Sequence, residues 1–153
     1  MIIPNTENSN TEKIADFSAH INKPFRRGSW KIAKDLPSSF KYASQGLGYA
    51  FLSQRNFRIH VFIGFSISAL GVWLNLPFTD LAILVLTICA VLVLELLNTS
   101  IEAVVDLAIG RRFHPLARIA KDCAAASVLV CSISAFVIAL LLLLPSILLK
   151  LGL

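Results

Sequence analysis

Apolar residues in this chain gather in three long runs, and the polar residues that interrupt them keep to one helical face. The runs extend from about Ile59 to Leu76, Leu81 to Val105 and Ala124 to Leu149. A helix of roughly 17–25 apolar residues is enough to cross a hydrocarbon core about 30 Å thick. Upstream, Phe40, Ala43, Leu47, Ala50 and Phe51 recur at three- and four-residue steps, flanked by Tyr42, Gln45, Tyr49 and Ser53. That spacing predicts an amphipathic helix lying in the membrane interface. The expected architecture is an all-α integral membrane domain over residues 38–153, with a surface helix over 38–56 and transmembrane helices over 58–76, 81–107 and 123–149. Residues 1–37 are polar and lack an apolar core, so a mobile leader rather than a secretory signal is expected there. Within it, FRRGSWKIAK can lie on the membrane surface through Phe25 and Trp30.

Local signals refine the boundaries. Ser38 or Ser39 can cap the surface helix, and Thr79 or Asp80 the second span. Gly110 can close the second span. Gly46 and Gly48 can admit a close neighbour. The segment GRRFHPLARIAKD reads as the loop into the third span, whose serines, Ser127, Ser132 and Ser134, lie on a packing element.

Composition agrees with the pattern: 56% of the 153 residues are hydrophobic. The net charge of +5 is mostly a topology signal. Lys and Arg crowd the segment before the first span and the loop between spans two and three, while the turn Asn75–Asp80 has none. By the positive-inside rule the N-terminus and the second loop are cytoplasmic, in a multi-pass protein of the cytoplasmic membrane. Basic residues beside a membrane, with no nucleic-acid motif, argue against DNA or RNA as a partner. Cys89, Cys123 and Cys131 are isolated and read as small packing residues.

The chemistry concentrates in the second span. Glu95, Asn98, Glu102 and Asp106 fall within an arc of roughly 80° at 100° per residue. Carboxylates are costly in a membrane and usually mark chemistry or transport. Glu95 is expected at lipid depth and Glu102 near the aqueous boundary. Such a gradient suits an enzyme with an oily acceptor and a water-soluble donor. Glu95 can take a proton from a lipid hydroxyl, Glu102 can hold Mg2+, and Lys121 can neutralise phosphate charge. The competing reading is that these groups bond neighbouring helices, or carry protons in a transporter subunit or scaffold. No P-loop or protein-kinase signature is present. His60 reads as a packing residue, and Arg55 and Arg58 as boundary anchors.

The stretch ELLNTSIEAVVD, followed by a Gly, a His and the pair Lys121–Asp122, resembles the prokaryotic diacylglycerol kinase family, which includes undecaprenol kinases. FKYASQGL and NFRIH support the resemblance, which covers about residues 38–149. It implies a homotrimeric membrane kinase whose sites form between subunits, using Mg2+ and ATP as phosphoryl donor. It also implies Glu95 as catalytic base, Asn98 as its active-site partner and Glu102 as metal ligand, with Tyr42, His114, Lys121 and Asp122 at the nucleotide. The family commonly has a Glu as the other metal ligand, where this chain has Gln54. An amide oxygen still ligates Mg2+ but adds no charge, so either the metal is held more weakly or water and Asp106 fill the role. Diacylglycerol is the expected lipid alcohol, with undecaprenol as the alternative.

Overall fold

The computed structural model describes residues 36–110 and 112–152, and these form four helices: α1 (Leu36–Ser53), α2 (Arg55–Trp73), α3 (Phe78–Ile109) and α4 (Pro115–Leu151). The expected leader lies outside the described residues except for Leu36 and Pro37. Among the described residues α3 and α4 are long and apolar enough to cross a membrane. At 1.5 Å per residue their 32 and 37 residues extend beyond a hydrocarbon core of about 30 Å. Large outward side chains such as Leu86, Leu107, Val130, Phe136 and Leu141 are exposed. A chain that met only water would rarely leave so much contiguous apolar surface bare.

The helices start earlier than expected, and the break expected at 56–58 falls at Gln54, so the surface helix ends at Ser53 and the first span covers Arg55–Trp73. The second span begins at Phe78 with Pro77 as its N-cap, so Thr79 and Asp80 lie inside the first turn rather than capping it. Asp80 there still complements the helix dipole. Helix α4 begins at Pro115, eight residues before the expected start. Proline suits the first turn, whose N–H has no helical partner. The His114 side chain caps the helix by accepting the Leu116 N–H at 3.2 Å. Lys121 and Asp122 therefore sit on a helix and not in a loop. Helix α1 begins at Leu36, which puts Ser38 and Ser39 within it.

Helix α3 packs on both α2 and α4. Glycines set its distance from α2. A Cβ added at Gly64 would meet Ile88 Cγ2 at 2.6 Å, and one at Gly71 would meet Leu81 Cδ2 at 3.0 Å. Both contacts step by seven residues in opposite directions, so the two helices run antiparallel with their backbones close. By contrast, nothing lies within 4 Å of a Cβ built at Gly46 or Gly48. The turn after α2 is closed by Leu76 N–H to Gly71 O (3.1 Å) and Asn75 N–H to Val72 O (3.0 Å), with Asn75 at φ 57°. This is a Schellman closure, and Asn tolerates the left-handed position better than a branched residue. It turns Leu74 and Leu76 into the core with Leu84, Ala139 and Leu143. At the other end Gly110 caps α3 as expected, its N–H on Asp106 O at 2.8 Å.

Candidate active site

The polar stripe occupies the half of α3 away from that core. Glu95 is only 4% exposed and is the sole buried polar or charged residue among those described. Its side chain is therefore turned inward. Carrying the α2–α3 register one further seven-residue step brings buried Phe57 level with Glu95. His60, one turn on from Phe57 in the same helix, lines a cavity together with Val91, which precedes Glu95 by one turn. One turn on, Asn98 Nδ2 donates to Glu102 Oε1 at 3.3 Å. The Asn98 Oδ1 is buried and has no partner among the described residues. A buried acceptor left in that state costs about 1–3 kcal/mol until something satisfies it.

These atoms can be tested for fit to Mg2+. The ion takes hard oxygen donors and is usually held by one or two carboxylates together with substrate phosphates and water. Glu102 carboxylate oxygen and the orphaned Asn98 oxygen lie one turn apart and are of that kind. No group of three His, Cys, Asp or Glu side chains gathers among the described residues. Phosphates and water would then supply most of the shell. Asp106, the substitute considered for Gln54, is engaged elsewhere: Lys121 Nζ pairs with its carboxylate. That pair ties the last turns of α3 to the second turn of α4. Asp122 pairs with Arg118 on its own helix at 3.6 Å, both exposed, a contact worth little in itself.

The remaining expected residues are more dispersed. Gln54 is the N-cap of α2, at the corner with α1. Arg58 fixes that corner by donating from Nη1 to Leu52 O (3.1 Å) and Phe51 O (3.4 Å). The Phe51 and Phe62 rings meet there at 6.4 Å. Tyr42 is exposed on α1. His114 lines an open recess with Ile109, Gly110 and Arg112. Among the described residues no hydrogen bond or ion pair links Tyr42, Gln54 or His114 to Glu102.

Sequence reasoning gave two further residues a packing role only. His60 lines a cavity of about 180 Å³ among α2, α3 and α4. Ser132 lines the same cavity and its hydroxyl is buried without a partner among the described residues. For His60 the signal was its place two residues after Arg58, on the element opposite the stripe. For Ser132 there was none, since Ser127 and Ser134 look the same in sequence.

A helical chain with two elements able to cross a membrane, and a buried carboxyl leading to oxygen donors at one end, defines a membrane protein with an embedded polar site. The chain belongs to the prokaryotic diacylglycerol kinase family, whose model matches residues 41–143. It is 49% identical over 126 residues to a diacylglycerol kinase of Synechocystis, covering 82% of this chain and 72% of that one. It is 38% identical over 107 residues to an undecaprenol kinase of Bacillus subtilis, covering 70% and 86%. With a diacylglycerol kinase of Escherichia coli K12 it shares 32% identity over 96 residues, 63% of this chain and 78% of that one. The family read from ELLNTSIEAVVD is thus borne out, and the chain is a membrane lipid kinase rather than a proton-carrying subunit or scaffold.

Proposed function

We propose that this kinase moves the γ-phosphate of Mg-ATP to the free hydroxyl of diacylglycerol, giving phosphatidate. The observation that carries this reading is the inward, buried Glu95 one turn from the Asn98–Glu102 oxygen pair. Phosphoryl transfer asks mainly for alignment and charge stabilisation. Glu95 accepts the hydroxyl proton as the alcohol oxygen bonds to the γ-phosphorus. The bond from that phosphorus to the bridging oxygen breaks, and ADP leaves. Asn98 orients the acceptor side, and Glu102 with Gln54 holds the metal. Mg2+, when bound, supplies countercharge to the phosphates. Lys121, steered by Asp106, supplies more, while Asp122, His114 and Tyr42 contact the nucleotide.

The membrane arrangement follows the same reading. Helices α2, α3 and α4 cross the cytoplasmic membrane, α1 lies on its surface, and residues 1–37 form a leader. Arg55 and Arg58 begin α2, while Arg112, Arg118 and Lys121 surround the α3–α4 corner. The antiparallel packing gathers these at one end of the bundle, which fits a cytoplasmic N-terminus. The exposed apolar faces of α3 and α4 leave room for lipid and for two further copies in a homotrimer.

Diacylglycerol is favoured because the Synechocystis relative, a diacylglycerol kinase, shares the higher identity. Undecaprenol is the second reading, supported by the 86% coverage of the B. subtilis relative. The test is to supply purified full-length protein with labelled ATP and a panel of lipid alcohols. Labelled phosphatidate is expected. Labelled polyprenyl phosphate alone would move the assignment to the second reading, and no labelled lipid would reject both.

A further inference from the structure

The cavity among α2, α3 and α4 begins one turn from Glu95. Val91 lines it and precedes Glu95 by about 6 Å along the helix axis. His60 is also on its wall. Most of the wall is apolar, from Ile63, Ile67, Ile88 and Phe136. Its volume of about 180 Å³ accommodates on the order of six water-sized groups, or one short run of hydrocarbon chain.

Among the hydroxyls on or near this wall, one stands apart. Thr87 Oγ1 donates to Leu84 O at 2.9 Å. On α4, Ser127 and Ser134 donate to the carbonyls of Ala124 (2.7 Å) and Val130 (2.9 Å). Ser132 Oγ is buried at the cavity with no partner among the described residues. Ala139 packs in the core with Leu84; seven residues back on α4 and seven on along α3, Ser132 and Val91 both line the cavity. An unused hydroxyl donor thus lies about one helical turn below the proton acceptor. In a diacylglycerol the ester carbonyls lie a comparably short reach, through the glycerol carbons, from the free hydroxyl. A polyprenol has no carbonyl there.

We propose that the cavity receives the acyl chain adjoining the acceptor hydroxyl, and that Ser132 Oγ donates to its ester carbonyl, selecting ester lipids. This rests on the reading that Glu95 meets the lipid hydroxyl. A site built to hydrogen-bond a substrate group discriminates against analogues lacking that group, because its own polar atom is then left unpaired.

The test compares a 1,2-diacylglycerol, its diether analogue and a polyprenol in mixed micelles, with full-length wild-type, Ser132→Ala and Ser132→Thr proteins. Wild type should favour the diester over the diether in kcat/KM by about fivefold or more. Ser132→Ala should erase that preference, and Ser132→Thr should retain it. The ratio is internal to each protein, so partial loss of folded enzyme cancels. Equal wild-type rates on diester and diether, or a ratio unmoved by Ser132→Ala, overturn the assignment of Ser132 and leave the kinase reading standing. Phosphorylation of the polyprenol alone does the same. Failure to phosphorylate any of the three overturns both.

Discussion

The two ends of the helical bundle are built on opposite principles. At the α2–α3 turn every feature favours closure. Leu74, Leu76, Leu84, Ala139 and Leu143 are buried together, and the Schellman hydrogen bonds fix the reversal. Lys150 Nζ donates to Trp73 O at 2.9 Å and stands 3.7 Å from the centre of its ring, adding a cation–π contact between the end of α4 and the end of α2. At the other end, from Glu95 to Lys121, contacts are polar and some are left unmade, as at Asn98 Oδ1. Closed packing sets where the helices stand, and the opposite end leaves the Asn98 Oδ1 acceptor unpaired among the described residues. A site gains precision from rigid elements whose support lies elsewhere.

Gly64→Ala should have the largest effect on the fold, because the new Cβ would stand only 2.6 Å from Ile88 Cγ2, on a side chain branched close to its backbone that cannot easily move aside. A destabilisation of about 2–3 kcal/mol is expected from such overpacking, read from denaturing-detergent titration. It should also lower turnover by shifting α2 against the stripe. Leu143→Ala at the closed end should cost less, about 1–2 kcal/mol. In a membrane, lipid tails are as apolar as leucine, so the transfer contribution falls away and the lost packing remains. The folded fraction should keep wild-type kcat, which follows from the separation of packing and chemistry. Gln54→Glu should be the mildest change: apparent Mg2+ affinity in the kinase assay rises several-fold if the α1–α2 corner faces the metal, with stability unchanged.

Much of the polar end was legible in the sequence, and the reason is the background. Glu95 is conspicuous because it interrupts an apolar run, and its helical spacing to Asn98 and Glu102 holds in the structure, with the two latter residues hydrogen-bonded. Gly110 was likewise legible as a helix end. The start of α4 was hidden because RFHPLARIAKD is basic and contains proline, a composition shared by loops and by helix N-termini that protrude from a membrane. The close α2–α3 contact was hidden too. Four glycines lie on α1 and α2, and only tertiary packing distinguishes Gly64 and Gly71 from Gly46 and Gly48. Ser132 differs from Ser127 and Ser134 only in what surrounds its hydroxyl.

The division of labour along α3 is tested most directly by comparing Glu95→Gln with Glu102→Gln in one assay of nucleotide binding and single-turnover lipid phosphorylation. Glu95→Gln should bind Mg-ATP as wild type does and transfer its phosphate about 10²–10⁴-fold more slowly, the range for losing a general base. Glu102→Gln should weaken Mg-ATP binding and respond to added Mg2+. Wild-type transfer by the Glu95→Gln protein, or loss of nucleotide binding from that substitution and not from the other, would contradict the account.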